Sequence, residues 1–282
     1  MSQRVGAVIE GWAERFARAG LTFGHGTDNA WDEAVVLVLG VAGLPDDRAV
    51  LEQELSAEQE ARIAELGGRR IREHVPVAYL LGRTRFAGLE FYIEPGVVIP
   101  RSPLGGMLLD GLTPWITRAP DTILDLCCGN GCIGIVAATV FPEARVDLVD
   151  VEATALELAR RNVALHGLED RVRVRQSDLF DDLPPGRWDL IVSNPPYVDA
   201  ADMAGLPLEH RHEPASGLAG GEDGLEVVAR MLDALPERLE PDGTFVCEVG
   251  NSAAALTRRW PDVAFIWPDD AEGVFVILST KY

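Results

Sequence analysis

The sequence predicts an α/β fold in which a helical N-terminal domain leads, through a β-hairpin, to a mostly parallel sheet with helices on both faces. Apolar residues recur at helical spacing over residues 1–75, and from residue 121 onward short apolar strands alternate with helical stretches. Between these regions, residues 84–99 change to the alternating period of a strand. We therefore divide the 282 residues into a helical domain (1–82), a hairpin linker (83–102) and an α/β domain (103–282).

The helical domain is predicted to contain three helices. The first has apolar side chains at the i, i+3 and i+7 positions of one face, namely Ile9, Trp12 and Phe16. Residues 34–39 predict a second, largely buried helix. A capping box that begins at Ser56 predicts the start of a third helix, and we expect the glycine pair 67–68 to end it.

In the linker, apolar residues at 86–93 precede Glu94-Pro95-Gly96, and three more follow at 97–99. Pro-Gly pairs favour tight turns. We therefore expect the hairpin to turn at Pro95-Gly96 and to connect the helical domain with the sheet.

Seven strands are predicted for the sheet: Thr122–Leu126, Arg145–Val149, Val172–Gln176, Leu190–Ser193, Thr244–Val249, Ala264–Trp267 and Val274–Leu278. Helical stretches separate most of them, which is typical of parallel neighbours joined by crossovers. The last two candidates are separated only by residues 268–273, too few for a crossover. That pair is therefore predicted to be antiparallel.

Acidic residues dominate the charge of the chain, since 45 Asp and Glu against 25 Lys and Arg give a formal net charge of −20. Phosphate backbones require a basic surface, so tight direct binding of nucleic acid is not expected. The acidity would attract a basic protein partner, although it suits equally a protein that it merely keeps in solution. No apolar run approaches the ~20 residues that span a bilayer, so no membrane association is expected, and nothing indicates a particular oligomeric state.

The cysteines and the N-terminus predict a reducing, cytoplasmic location, because the four cysteines have no disulfide-like spacing and no apolar signal core precedes the helical domain. Three of the cysteines crowd one loop, at positions 127, 128 and 132. They lack C-x-x-C spacing and have no histidine nearby in the sequence. We expect them to pack rather than to bind a metal.

A glycine loop follows the first predicted strand of the sheet. Residues 125–134 read DLCCGNGCIG, and Gly129, Gly131 and Gly134 form the pattern G-x-G-x-x-G. Glycines permit a tight turn and let the backbone approach a ligand closely. Asp150 ends the second strand about 20 residues further on, where an acid can hold ribose hydroxyls. Together these features predict a nucleoside-bearing cofactor without identifying it; the alternative is a structural glycine turn.

The fourth strand runs directly into Asn194-Pro195-Pro196-Tyr197. Proline fixes its own φ and restrains the residue before it, so Asn194 is held at the carboxyl end of a strand, where open α/β sheets bind ligands. The Asn194 side-chain oxygen and the Pro195 carbonyl can both accept hydrogen bonds from one NH₂ group, and Tyr197 offers a flat face to a planar substrate.

A conjugated nitrogen is a poor nucleophile because its lone pair is delocalised. Two acceptors on its hydrogens can direct that lone pair at an electrophilic methyl group, and positioning makes the transfer effectively unimolecular. The motif therefore indicates methyl transfer to an amide or nucleobase NH₂ group. The alternative is a rigid proline turn after a buried strand.

These residues resemble the S-adenosylmethionine-dependent amino-methyltransferases of the Rossmann-like class, whose sheet has seven strands with the last one antiparallel. The resemblance implies S-adenosylmethionine as cofactor. It also implies that cofactor contacts come from Asp125, Cys127, Gly129, Gly131, Asp150, Asp178 and Asn194. The loop residues would face the methionine end, Asp150 the ribose and Asp178 the adenine. Catalysis would rest on Asn194, Pro195 and Tyr197, and Pro196 would join them in binding the substrate.

Further stretches resemble the protein-(glutamine-N5) methyltransferases, namely residues 24–34 (GHGTDNAWDEA), 76–80 (PVAYL), 86–91 (FAGLEF) and 99–103 (IPRSP). The combination is closest to the branch that acts on the large-subunit ribosomal protein L three. The related branch that acts on peptide-chain release factors usually has Pro-Arg-Pro where this chain has Pro-Arg-Ser-Pro. This chain departs from both at Gly106, where the family usually carries a glutamate.

The resemblance implies N5-methylation of a glutamine side-chain amide in a basic ribosomal protein, with the helical domain recognising that substrate. Methylation of a release factor remains an alternative. So do a DNA adenine-N6 methyltransferase, which can share the Asn-Pro-Pro-Tyr motif, a nicotinamide-dependent dehydrogenase, and a non-catalytic assembly factor that binds a basic ribosomal protein.

Two further segments have two interpretations each. Residues 209–214 (EHRHEP), which the family also carries in part, predict either a flap over the substrate or a solvated loop that caps the next helix. Metal binding by His210 and His212 is not expected because no third ligand is apparent. Glu248 ends the fifth strand, where it either shapes the site or merely terminates the strand.

Overall fold

The computed structural model describes residues 2–279. In this part of the chain the N-terminal domain consists of α1 (Val5–Arg18), α2 (Ala30–Ala42), α3 (Ala57–Glu73) and α4 (Val77–Leu81), with a 3₁₀ turn at Arg48–Val50. The predicted apolar face of α1 is buried against α2 and α3. The predicted capping box at Ser56 opens α3.

We expected helix α3 to end at the glycine pair 67–68, but it continues to Glu73. Gly67 is buried where α3 crosses α1, and a Cβ atom there would lie 2.4 Å from Cζ3 of Trp12. The glycine thus permits close helix packing, and this packing outweighs its low helix propensity.

The hairpin pairs β1 (Arg83–Phe86) with β2 (Leu89–Tyr92) in antiparallel register. It turns at Ala87-Gly88 and not at Pro95-Gly96, because both turn residues have positive φ, 47° and 81°, as a two-residue type I′ turn requires. Residues 97–99 form no strand. The backbone N–H of Ile99 donates instead to a side chain, Glu213 Oε1 at 2.9 Å.

The α/β domain contains the following elements in chain order: α5 (Leu104–Leu109), β3 (Thr122–Leu126), α6 (Cys132–Val140), β4 (Arg145–Asp150), α7 (Ala153–Leu165), β5 (Val172–Gln176), β6 (Trp188–Ser193), α8 (Ala200–Gly205), α9 (Glu226–Arg238), β7 (Leu239–Glu248), α10 (Ala253–Arg259) and β8 (Val274–Leu278). Three 3₁₀ turns lie at Leu208–His212, Ala215–Gly217 and Gly250–Ser252. The strand order is β5-β4-β3-β6-β7-β8, with β8 antiparallel and the other strands parallel.

Apolar cores cover both faces of this sheet. Successive residues of β3, Ile123 and Leu124, belong to different clusters because side chains alternate along a strand. Helices α5, α6 and α7 contribute to the first cluster, and α9 contributes most of its buried side chains to the second. The direction of the strand order reverses between β3 and β6, so the crevice expected for ligands lies at their carboxyl ends.

The predicted α/β fold class is confirmed, with one difference in the strands. The candidate at 264–267 is reduced to a single antiparallel bridge between Ile266 and Val276, because Phe265 donates to the Val263 carbonyl in a turn and Pro268 has no N–H to donate. The sheet of the described residues therefore has six strands and this bridge. Both the bridge and β8 run antiparallel to their neighbours, as predicted for the end of the sheet. Over residues 2–279, none of the helices has the length and apolar character needed to cross a membrane.

Candidate functional site

A cleft of about 380 Å³ opens at the carboxyl ends of β3, β4 and β6. This volume falls within the roughly 300–1,000 Å³ that small-ligand sites occupy. Its walls come from residues 96–102, the glycine loop 127–130 and the start of α6 (132–133), residues 149–152 after β4, Ala155, residues 177–179 after β5, the segment 194–198 after β6, several residues between 206 and 218, and Val227 and Arg230 of α9. The predicted motifs are therefore brought together in one place.

The glycine loop passes from β3 into α6 through three left-handed residues, Cys127 (φ 57°), Gly129 (φ 55°) and Gly131 (φ 83°). A Cβ atom on Gly131 would lie 2.9 Å from Leu148 Cδ1, and one on Gly134 would lie 2.2 Å from Leu148 Cδ2. The first glycine faces the cleft, whereas the other two let α6 pack closely on β4. Gly131, which we predicted as a cofactor contact, thus lies outside the wall of the cleft and shapes the loop.

Asp150 lies in the wall of the cleft, where its carboxylate accepts hydrogen bonds from the backbone N–H of Gly129 and of Glu152, both at 2.9 Å. Burial raises the pKa of Asp150. An ionised carboxylate has about four acceptor positions, so acceptors remain for a diol. Asp178 also lines the cleft and is ion-paired with Arg230 at 2.9 Å.

Asp125, for which the resemblance implies a cofactor contact, lies beneath the glycine loop. It is completely buried and absent from the cleft wall, and its Oδ2 atom accepts a hydrogen bond from the Gly134 N–H at 2.8 Å. Burial, helped by the charge of Asp150, raises the pKa of Asp125 to about 8. Asp125 therefore anchors the start of α6 beneath the loop. Cys127, Cys128 and Cys132 all line the cleft, and Cys128 and Cys132 also belong to the apolar core on the α6 side of the sheet.

Asn194 follows the last residue of β6, where the Ser193 hydroxyl donates to the Leu126 carbonyl at 2.7 Å and ties β6 to β3. The Asn194 side chain is half-buried in the cleft wall and makes no hydrogen bond with any residue in 2–279. Its amide is thus free for a ligand. Pro195 and Pro196 line the same wall and fix the backbone that follows.

Tyr197 is held by side chains that the motif did not reveal. Its hydroxyl donates to Glu248 Oε1 at 2.6 Å, and the Ser102 hydroxyl donates to the other oxygen of Glu248 at 2.5 Å. Burial raises the pKa values of both Tyr197 and Glu248. The ring rests on Gly250, where a Cβ atom would lie 2.5 Å from Tyr197 Cε2. Of the two interpretations of Glu248, this geometry favours a residue that shapes the site.

Glu213 links the predicted flap to the cleft. Arg101 donates to both of its oxygens, at 2.6 and 2.7 Å, and His25 Nε2 lies 3.4 Å from Oε2. Burial acts to raise the pKa of Glu213, but His25 and Arg101 outweigh it and lower the pKa to about 2. Glu213 is therefore ionised at neutral pH and joins the hairpin linker and the helical domain to the flap.

Glu209 connects the same flap with the helical domain at a second point. It accepts hydrogen bonds from Arg70 Nη1 at 3.0 Å and from the Thr22 N–H at 3.0 Å, and it lies 2.9 Å from His74 Nδ1. Arg70 is fully buried and also donates to Glu33 Oε2 at 3.0 Å. The segment is thus neither a freely solvated loop nor a cap of the next helix. No sequence signal connected residues so far apart.

His25, His210 and Glu213 form the group within residues 2–279 whose potential ligand atoms lie close enough to share a metal ion, within 4.8 Å of one another. His212 is not part of it, because its ring contacts the Glu73 carbonyl at 2.9 Å. Both oxygens of Glu213, however, already bind the Arg101 guanidinium. The cationic partner of this carboxylate is therefore Arg101, and the group is an ion-pair cluster.

Comparison with known proteins places this geometry in context. The family model of the methyltransferase small domain matches residues 107–207. The ribosomal protein uL3 glutamine methyltransferase of Bordetella pertussis is 45% identical over 269 residues, covering 94% of this chain and 90% of that protein. The protein of the same name from Burkholderia pseudomallei is 40% identical over 281 residues, covering 95% of this chain and 92% of its own.

Among solved structures, the catalytic domain of hMettl16 in complex with MAT2A 3′UTR hairpin 1 is similar to this chain. The TM-score is 0.53 at 17% sequence identity, with 79% of this chain and 81% of that chain covered. At this identity the likeness concerns the fold alone, and it agrees with the Rossmann-like sheet described above.

Proposed function

The chain belongs to the family of the ribosomal protein uL3 glutamine methyltransferases, and from that premise we propose that it methylates the side-chain amide of a glutamine in ribosomal protein uL3. The resemblance identified from the sequence is thereby confirmed. The observation that carries the proposal within the site is Asn194, whose amide has no partner in residues 2–279 and lies in the wall of the cleft. Its free acceptor is what recognition of an NH₂ group requires.

The methyl donor is S-adenosylmethionine, which supplies an electrophilic methyl group on a sulfonium sulfur. The residues of the cleft fit this cofactor. Gly129 lets the backbone of the loop approach a ligand, and Asp150 retains free acceptors for ribose hydroxyls. Asp178 lies further along the same wall, where we place the adenine. Cys127 adds to the wall beside the glycine loop.

We assign the acceptor amide to Asn194 and Pro195. The Asn194 side-chain oxygen and the Pro195 carbonyl each accept one N–H of the glutamine amide, which orients the nitrogen lone pair. The two prolines keep both acceptors in place without the entropy loss of ordering a flexible loop. Tyr197, fixed by Glu248, packs its ring against the planar amide, and Pro196 completes that wall.

The helical domain (1–82) is assigned to recognition of the ribosomal protein, the hairpin (83–102) to linking, and residues 103–282 to catalysis. The net charge of −20 favours a basic substrate protein over bare nucleic acid. A ribosomal protein substrate also favours the cytoplasm as the site of action.

The experiment is a methylation assay with labelled S-adenosylmethionine and uL3 isolated from cells that lack this enzyme. Mass spectrometry of the product should find one added methyl group on one glutamine. Asn194→Ala should lower kcat by roughly 100-fold or more, because an acceptor aimed at the reacting group is lost. Asn251→Ala serves as the matched control, since Asn251 is exposed and bonds Asp202.

Retained turnover in Asn194→Ala would contradict the assigned role of this residue. Parallel reactions with release factors and with duplex DNA test the remaining alternatives. Methylation of a release factor but not of uL3 would show that the chain has the activity of the related branch, which acts on release factors.

A further inference from the structure

Arg101 lies in the wall of the cleft, and 30% of its side-chain surface is exposed. It is held from one side only. Nη1 donates to the Ile99 carbonyl at 3.1 Å and to Glu213 Oε1 at 2.6 Å, and Nη2 donates to Glu213 Oε2 at 2.7 Å. These three hydrogen bonds fix the plane of the guanidinium.

A guanidinium has five N–H donors, so two of those of Arg101 have no acceptor in residues 2–279. They are the Nε–H and the second N–H of Nη2, which lie along one edge of the plane. Two parallel donors on one edge match the two oxygens of a carboxylate. The free edge of Arg101 is therefore a preformed half of a bidentate pair.

The charges in the cleft wall leave this position to Arg101. The acids of the wall are Asp150, Glu152 and Asp178, and its other arginine is Arg230, which is bound to Asp178 and Asp181. Burial lowers the pKa of His210, the histidine of the wall, so its ring is neutral at pH 7. The methionine end of the cofactor carries both an ammonium and a carboxylate. A carboxylate taken out of water beside acids is unfavourable unless a cation binds it.

We propose that Arg101 binds the carboxylate of S-adenosylmethionine through its free Nε–Nη2 edge, and that Glu213 positions it for this contact. The inference rests on the proposed function and adds a cofactor-binding residue to it. Glu213 is completely buried, comes from the flap, and lies 3.4 Å from His25 of the helical domain. Cofactor binding is thereby linked to the contact between the flap and the helical domain.

Calorimetric titration with S-adenosylhomocysteine and with its decarboxylated analogue tests the proposal directly. The two ligands differ only in the carboxylate. The wild type should bind S-adenosylhomocysteine roughly 10- to 100-fold more tightly, and Arg101→Ala should lose that preference. Arg101→Lys, which keeps the charge but not the two-donor edge, should retain part of it. Arg62→Ala, on an exposed arginine of α3 paired with Glu65, is the matched control for charge.

Removing Arg101 alone leaves Glu213 buried without its cation, which can prevent folding. The double variant Arg101→Met/Glu213→Gln removes both charges and is measured in parallel, with the same loss of preference expected. Glu213→Gln alone should lower the preference by a smaller factor, because the guanidinium is less firmly held.

A wild type that binds both ligands equally, or an Arg101 variant that keeps the preference, would overturn the proposal. So would a rise of the KM for uL3 with the preference unchanged, since the guanidinium would then bind the acceptor protein. Absence of binding of either ligand to the wild type would instead contradict the proposed function itself, which separates the two failures.

Discussion

The two sides of the cleft hold their carboxylates in different ways. On the cofactor side, Asp125 and Asp150 are bound by backbone N–H groups 9 and 21 residues away. On the side formed by the flap and the hairpin linker, which we call the flap side, Glu209, Glu213 and Glu248 are bound by groups that are distant in the sequence, for example Arg70 at 139 residues and Ser102 at 146 residues of separation. The first side is built by a loop, whereas the second is built by the packing of whole domains.

The pKa values of these acids diverge accordingly. Burial raises the pKa of Asp125 to about 8, whereas bound cations and hydrogen-bond donors lower those of Glu209 and Glu213 to about 2. Glu209 and Glu213 therefore stabilise the fold above about pH 4.5 and lose this contribution as the pH falls towards 2. Asp125, whose pKa is raised, instead lowers the stability of the fold as the pH rises. The cofactor side is thus robust to acid, while the contact between flap and helical domain is sensitive to it.

Arg70→Met should have the largest effect, and that effect should be confined to the flap side. It leaves Glu33 and Glu209 buried without their guanidinium, which costs about 3–5 kcal/mol in the free energy of unfolding. Urea titration measures the loss, and hydrogen exchange should accelerate at residues 207–217 more than in the glycine loop. Arg62→Met, on the same helix but exposed, should change stability by less than about 1 kcal/mol. Equal acceleration of hydrogen exchange on both sides of the cleft would show that Arg70 does not stabilise one side selectively.

Asp125→Asn tests the opposite sign on the cofactor side. The folded pKa of about 8 lies above the ordinary value of 3.8, so the chain takes up a proton at Asp125 on folding. This stabilisation is complete below about pH 4 and is lost as the pH rises through about 8. From pH 6 to pH 8 the free energy of unfolding of the wild type should fall by about 2 kcal/mol more than that of the variant. Parallel urea titrations at both pH values measure this difference. An equal change in the free energy of unfolding in the two proteins would count against the raised pKa.

Glu248→Gln should have the smallest effect. Glutamine places an NH₂ group where one carboxylate oxygen stood, so either the Tyr197 or the Ser102 hydroxyl must accept a hydrogen bond instead of donating one, and the Tyr197 ring is less firmly placed. We expect kcat for uL3 to fall about tenfold while the Kd for S-adenosylhomocysteine stays constant. Steady-state kinetics and calorimetry measure the two quantities, with the exposed Glu272→Gln as control. Weaker binding of S-adenosylhomocysteine at an unchanged kcat would instead indicate that Glu248 supports cofactor binding.

The difference between the two sides also marks how far the sequence could predict the molecule. Thr122–Leu126, Val172–Gln176 and Val274–Leu278 have the predicted bounds. The first and third are short, mainly apolar runs, and the second alternates apolar and polar residues. The glycine loop, Asp150 and Asn194–Tyr197 lie around one cleft, as strand ends on one edge of a parallel sheet must. Their roles in binding and catalysis stay predictions.

One error arose because a long-range contact outweighed a local preference, and another because a different pair of residues formed the turn. Gly67 was expected to end α3, yet it accommodates Trp12. Pro95-Gly96 was expected to turn the hairpin, yet the turn lies at Ala87-Gly88.

The sequence by itself determined the order of helices and strands and the edge at which the motifs meet. Periodicity, glycine and proline act within a few residues, and such signals can be read along the chain. Only the tertiary structure decided which carboxylate meets which cation, that Ser102 and Tyr197 share Glu248, and that one edge of Arg101 remains free. Those pairings join residues that are far apart along the chain, and a contact between distant side chains leaves no periodic pattern in either segment.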